Sequence, residues 1–272
     1  MKKTAFLLFE QMWQRHNTGS SRIRGHWLMN YMPEADLFKQ GRAYDVIIYQ
    51  KAYWKEMARN FEGINILDIC DPDWLDGVEI VTFAESMSAI TVPTEALQAD
   101  LVRMVKCPVY VIKDRIDLAT LPKPKKHQGT AKSVVWFGYS HNSWVLEEAI
   151  DLLKELNLKL IVISDGRFLS SDITVENIKW DVETVNAEIQ KADFVLFPAT
   201  KKGRHAYKSE NKTVQSWALG MPVATSPEEV RRFMEGGERQ QEVDEKMKIV
   251  LEDYDVKKSV EEMRAVIESI KE

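Results

Sequence analysis

Lys212 lies in the part of this chain best suited to hold an anion. The segment Ser209-Glu210-Asn211-Lys212-Thr213-Val214-Gln215-Ser216-Trp217-Ala218-Leu219-Gly220 is a polar loop feeding an amphipathic helix that ends at a glycine and runs into an apolar strand. Ser209 or Asn211 is placed to cap that helix, and its unpaired N–H groups and positive dipole end attract negative charge. Lys212 adds a mobile cation, so the segment is a place for a diphosphate.

A second constellation, Asn17-Thr18-Gly19-Ser20-Ser21-Arg22-Ile23-Arg24-Gly25-His26-Trp27, follows the first expected strand and opens a helix. Gly19 suits a tight turn, Ser20 or Ser21 can cap, and Arg22 and Arg24 carry fork-shaped donors that match phosphate. Positive charge sits badly at a helix start unless an anion answers it. His26 is a candidate base. A third constellation, Asp68-Ile69-Cys70-Asp71-Pro72-Asp73-Trp74, puts two carboxylates two residues apart at a strand end. Such a pair could hold a divalent metal through hard oxygen ligands.

Positioning these residues requires alternating strands and helices. Apolar runs of strand length fall at Thr4–Phe9, Asp45–Tyr49, Asn65–Asp68, Ile80–Thr82, Ala89–Val92 and Val109–Ile112, then at Ser133–Phe137, Leu158–Ser164, Phe194–Phe197 and Met221–Ala224. Helical periodicity falls between them, at Ile23–Met32, Thr94–Met104, Ser143–Leu156, Val182–Lys191 and Lys212–Leu219, and beyond them at Glu228–Met234 and Val256–Ile270, with Thr94 as an N-cap. The alternation predicts an α/β protein with parallel sheets covered by helices. The Pro- and Lys-rich stretch Leu121–Thr130 lacks periodicity and reads as a solvated linker. The expected domains are 1–118, a linker over 119–132, and 133–272 with the carboxyl-terminal helices.

With 272 residues, 44% of them hydrophobic, each half is large enough to bury a core. The net charge of −5 argues against a general electrostatic grip on nucleic acid. Glu10 interrupts the apolar run after Met1-Lys2-Lys3 too early for a signal peptide, which leads to the expectation of a cytoplasmic protein without integral membrane association. Cys70 and Cys107 are too few for a disulfide framework or a zinc site.

The segment from Asn211 to Thr225 resembles the donor-site helix of GT-B glycosyltransferases, in which an Asn-Lys pair opens a helix and a small-Gly-x-Pro-Val-Val-Ala run follows. Val134-Val135-Trp136-Phe137-Gly138, Ile178-Lys179-Trp180, the Ala192-Asp193 step before Phe194–Pro198, and Pro108–Asp117 resemble further parts of the family in the same order. The resemblance implies two Rossmann-like domains facing each other across a cleft, and a sugar moved from a nucleotide-diphosphate donor, a UDP- or GDP-sugar, to an acceptor. Similar members are usually retaining, and no metal is implied. It assigns Asp71, Arg22 and Lys212 to catalysis, and Gly19, Arg24, Gly138, Ser164, Trp180, Pro198, Ser209, Asn211, Thr213 and Gln215 to binding. Gln215 departs from the carboxylate that usually grips the donor ribose, and Tyr207 stands where many members carry an earlier glutamate. The Asp71–Asp73 pair also resembles the metal-holding Asp-x-Asp of GT-A enzymes. The acceptor is open among a glycan, a small molecule, a protein and modified DNA. A binding module without turnover and a nucleotide-sugar epimerase remain the alternatives.

Overall fold

Strand-length apolar runs become strands here because they are buried on both faces, the condition of a parallel sheet covered by helices. The computed structural model describes residues 1–13, 18–199 and 203–270, and of His205 only the backbone. Asn17, the first residue of the amino-terminal loop motif, lies outside the described residues. Two compact units form: Met1–Asp117 with Lys201–Asn211 and Tyr254–Glu272, and Leu118–Thr200 with Lys212–Asp253.

In the first unit the strands are β1 (Thr4–Leu8), β2 (Ala35–Leu37), β3 (Val46–Gln50), β4 (Ile64–Asp68), β5 (Ala89–Val92) and β6 (Val109–Val111). They form a wholly parallel six-stranded sheet in the order β2-β1-β3-β4-β5-β6. The second unit has β7 (Ser133–Phe137), β8 (Lys159–Ser164), β9 (Val175–Lys179), β10 (Phe194–Leu196) and β11 (Val223–Ala224), parallel in the order β11-β10-β7-β8-β9. Each order reverses once, between β1 and β3 and between β7 and β10. Ligands of open parallel sheets sit beyond the carboxyl ends of the strands at such reversals.

Several expectations need correction. Ile80–Thr82 is not a strand but part of the helix Ile80–Ala84, which buries Ile80 and Phe83 against the first sheet. The edge strand β2 was not expected, because Ala-Asp-Leu is too short to show alternation. Leu121–Thr130 is exposed at most positions but is anchored to the second unit at two of them. Lys125 donates to the carbonyls of Gln190 and Ala192, while His127 is buried with Nε2 2.7 Å from Gly220 O. Gly220, at φ +73°, is where the chain passes so closely that a Cβ would stand 2.5 Å from Lys125 N. The second unit is also not the contiguous stretch 133–272. Val256, Val260, Met263, Val266 and Ile267 of the last helix, Val256–Ser269, pack with Phe6, Leu8, Ile48 and Ile66 of the first sheet.

Thr94 caps Glu95–Met104 as expected, its Oγ1 accepting from Leu97 N at 3.3 Å. The amino-terminal helical run is less regular. Gly19–Ser21 leads into a π-helical turn over Arg22–His26, in which Trp27 N–H bonds to Arg22 O, and then into Trp27–Met29. A Cβ at Gly25 would collide with Leu8, so the glycine lets this run lie directly on β1.

Candidate functional site

In the second unit the strand ends at the order reversal bring three expected residues together. Gly138 follows β7, Pro198 follows β10, and Lys212 opens the helix Asn211–Ala218. Lys212 Nζ donates to Phe137 O at 3.1 Å. The ammonium also lies 5.6 Å from the ring centroid of Trp136 and 5.8 Å from those of Phe137 and Phe197. A cation near aromatic faces is attracted by the ring quadrupoles, and Lys212 remains exposed to solvent. A Cβ at Gly138 would stand 2.5 Å from Nζ, so the glycine leaves the space the ammonium fills.

Ser164 ends β8, and its buried hydroxyl donates to Asp165 Oδ1 at 3.1 Å. The same oxygen accepts Ser140 N–H at 2.7 Å, and that bond is the main reason the Asp165 carboxyl is held below its usual value. Trp180, just past edge strand β9, is half-buried against the cluster of Phe137, Ile163 and Leu219. Gln215 donates from Nε2 to Asn186 Oδ1 at 2.8 Å, which orients its side chain along the neighbouring helix Val185–Ile189. Asn211 Nδ2 is buried without a hydrogen-bond partner among the described residues, and Thr213 is half-buried in the first turn of the helix.

In the first unit the structure separates residues that the sequence had grouped. Arg24 is not a phosphate ligand. It is 4% exposed and donates from Nε and Nη2 to the two oxygens of Asp68, at 2.7 and 2.6 Å, and from Nη1 to Asp114 Oδ1 and Ile112 O, at 2.7 and 2.9 Å. Burial alone would lower its pKa, but the two carboxylates outweigh that and raise it. The Ser209 hydroxyl donates to Asp114 Oδ2 at 2.6 Å, two residues before the helix Asn211–Ala218 begins. Gly19 begins a helix at ordinary φ with open space around it, so no turn there requires glycine. Arg22 is half-buried, its guanidinium 5.9 Å from the Trp27 ring centroid. His26 Nε2 lies 2.6 Å from Glu10 Oε1.

A group that the sequence indicated only through Asp71 stands at the reversal between β1 and β3. Lys51, immediately after β3 and at a left-handed φ of +51°, bridges Asp71 Oδ2 at 2.7 Å and Asp73 Oδ1 at 3.0 Å. Tyr53 donates to Asp73 Oδ2 at 2.5 Å. Burial pushes the Asp71 carboxyl up, but the Lys51 ammonium, with hydrogen bonds from Lys51 and the Cys70 thiol, leaves it below the usual range. At Asp73 burial prevails over Lys51 and Tyr53, and the carboxyl is raised. Asp71 Oδ1 takes no hydrogen bond among the described residues, and its side chain is 40% exposed. The neighbouring Gln50 is fully buried, accepting from Ser21 Oγ and Phe9 N, with Nε2 unpartnered among the described residues. The missed signal was a Gln-Lys pair ending an otherwise apolar strand, since polar residues there face the reversal. Among the described residues no group of three or more His, Cys, Asp or Glu side chains is placed to hold a metal ion.

No family model and no curated protein matches the sequence. Solved structures do. A TarM structure superposes with a TM-score of 0.63 at 10% identity over 82% of this chain, and a second TarM structure, from S. aureus, is a complex with fondaparinux, alpha-GlcNAc-glycerol and UDP. AviGT4, a glycosyltransferase involved in avilamycin A biosynthesis, gives 0.55 at 11% identity over 99% of both chains. An alpha,alpha-trehalose-phosphate synthase (UDP-forming) from Burkholderia vietnamiensis gives 0.54 at 12% identity over 96% of this chain and 84% of that one. The chain has the GT-B fold. It spans 55% of the TarM chain it matches. No described helix is long and apolar enough to cross a membrane.

Proposed function

We propose that the chain is a glycosyltransferase that moves a sugar from a UDP- or GDP-sugar to an acceptor hydroxyl without a metal ion. The observation that carries this reading is the convergence of Gly138, Pro198 and the Lys212 ammonium at the order reversal of the second sheet, on a GT-B fold. There Lys212 and the first N–H groups of its helix offer positive charge to a diphosphate. In the transfer, the bond from the sugar C1 to the β-phosphate oxygen breaks and one to the acceptor oxygen forms. Charge then builds on the departing diphosphate, and Lys212 stabilises it where it develops. Gln215 offers its carbonyl oxygen to a ribose hydroxyl, a weaker acceptor than a carboxylate.

Asp71 is the residue we assign to the acceptor. Its carboxylate is kept ionised by Lys51 and keeps one oxygen open for a hydroxyl proton. Lys51 also supports a metal-free reaction, because its ammonium already lies between the two carboxylates that a divalent cation would bridge. Arg22 is assigned a supporting contact with the substrate, whereas Arg24 is withdrawn from the site. A glycan, a small molecule, a protein and modified DNA all carry suitable hydroxyls.

The test is calorimetry with UDP and GDP, followed by incubation with a panel of their sugars and measurement of slow donor hydrolysis, each with and without chelator. One nucleotide is expected to bind, its sugar to be hydrolysed, and chelation to change neither. Lys212→Ala is expected to weaken the nucleotide by about 1.5–3 kcal/mol, the worth of a hydrogen bond to a charged group. Absence of binding to either nucleotide defeats the proposal.

A further inference from the structure

We infer that Tyr139 and His141 form a stacking plate for the sugar ring of the donor, held in place by Ser164, Asp165 and Gly166. The inference rests on the glycosyltransferase reading and names the part of the ligand that a different set of side chains would recognise.

Tyr139 immediately follows Gly138, at the strand end that the Lys212 ammonium reaches. Its side chain is 57% exposed, and its ring lies parallel to that of His141, with centroids 5.7 Å apart and 17° between the planes. His141 is exposed too, and Asn142 Nδ2 stands 3.0 Å from its Nε2. Two stacked rings left in water give up the free energy that burial would return. Flexibility does not account for the exposure, because the turn beneath them is pinned. Ser140 N–H and Ser164 Oγ both donate to Asp165 Oδ1, and Ser143 Oγ donates to Ser140 O at 2.8 Å. Gly166 lets the two turns touch, since a Cβ there would stand 2.7 Å from Ser140 Cβ. The plate is therefore built into the unit, and the Ser164-Asp165-Gly166 motif has a role in supporting it.

The chemistry of the occupant follows from its distance to the cation. Tyr139 stands two residue steps beyond Phe137, whose carbonyl holds Lys212, which is about 7 Å of chain at most. A ring bonded directly to a phosphate at Lys212 reaches the plate. The nucleobase is removed from that phosphate by a ribose and a second phosphate. A pyranose also suits the surface, because its C–H face packs on an aromatic ring while its hydroxyls point to water at the rim.

The test compares two ligand pairs by calorimetry, UDP against UDP-glucose and GDP against GDP-mannose, using the full chain. Tyr139→Ala is expected to weaken the sugar nucleotide about three- to tenfold, the size of an aromatic stacking contribution, and to leave the bare nucleotide unchanged. Tyr139→Phe keeps the wild-type ratio. Asp165→Asn, which loosens the support without touching the plate, moves the ratio in the same direction as Tyr139→Ala. Equal losses for the bare and sugar-bearing nucleotides assign the rings to the base or to folding and overturn the inference, as does an unchanged ratio. If wild-type protein binds neither pair, the glycosyltransferase reading fails before any variant is made.

Discussion

Replacing Arg24 by methionine is expected to unfold the first unit more easily while sparing the nucleotide site. The guanidinium is 4% exposed and neutralises two carboxylates, Asp68 at 0% and Asp114 at 8% side-chain exposure. Methionine keeps much of the volume but leaves both charges without their cation. Among the described residues the carboxylate of Asp68 then retains the Thr91 hydroxyl, at 2.7 Å, and that of Asp114 the Ser209 hydroxyl. Breaking a buried pair by removing one partner costs about 3–5 kcal/mol, because the surviving charge stays desolvated. For a domain of this size each kcal/mol lowers the melting temperature by about 2–4 °C, so the first-unit transition falls by about 6–20 °C. Differential scanning calorimetry separates that transition from the second unit's, and calorimetric titration with UDP and GDP reads the site. Adding Asp68→Asn and Asp114→Asn to Arg24→Met is expected to recover most of the loss, since neutral amides cost less to bury than bare carboxylates. A variant that melts like the wild type but no longer binds nucleotide refutes this reasoning and returns Arg24 to the ligand.

Two further outcomes follow from the same geometry. Gly138→Ala is expected to raise the nucleotide Kd about tenfold and also to lower the melting temperature, because the new methyl meets the Lys212 ammonium and the buried Trp136 ring at a φ of +158° that side chains rarely adopt; an unchanged Kd contradicts the role given to this strand end. Lys51→Met is expected to raise the Asp71 pKa, since burial then acts without the opposing cation. In the wild type, Asp71 is ionised at and above the ordinary carboxylate range, and the stability from its lowered pKa is lost only as pH falls through the folded value. In the variant the acid limb of activity moves to higher pH and the acid-side stability loss from Asp71 shrinks or reverses, which carbon-13 NMR titration of the carboxylates follows directly; an unmoved Asp71 resonance contradicts the role given to Lys51.

The sequence alone determined what depends on neighbours in the chain. Strand-length apolar runs bounded by polar residues determined β1, β3, β4, β5, β7, β8 and β10, because burial on both faces favours apolar side chains and admits polar ones such as Gln50, Asp68 and Thr91 only with buried partners. The Thr94 cap and the placement of Gly138, Pro198 and Lys212 at strand and helix ends were legible for the same reason, since each is a local backbone event. The tertiary structure decided which charges are free to act. Arg22 and Arg24 look alike in sequence, yet a π-helical turn over a glycine carries Arg24 inward to carboxylates 44 and 90 residues away. Asp71 and Asp73 look like a pair, yet one is held ionised and exposed while the other is buried beneath Tyr53, and both answer to Lys51, 20 or more residues earlier. Spacing along a chain cannot report desolvation or the sign of a distant neighbour. Those two quantities set whether a charged side chain holds the fold or meets a ligand.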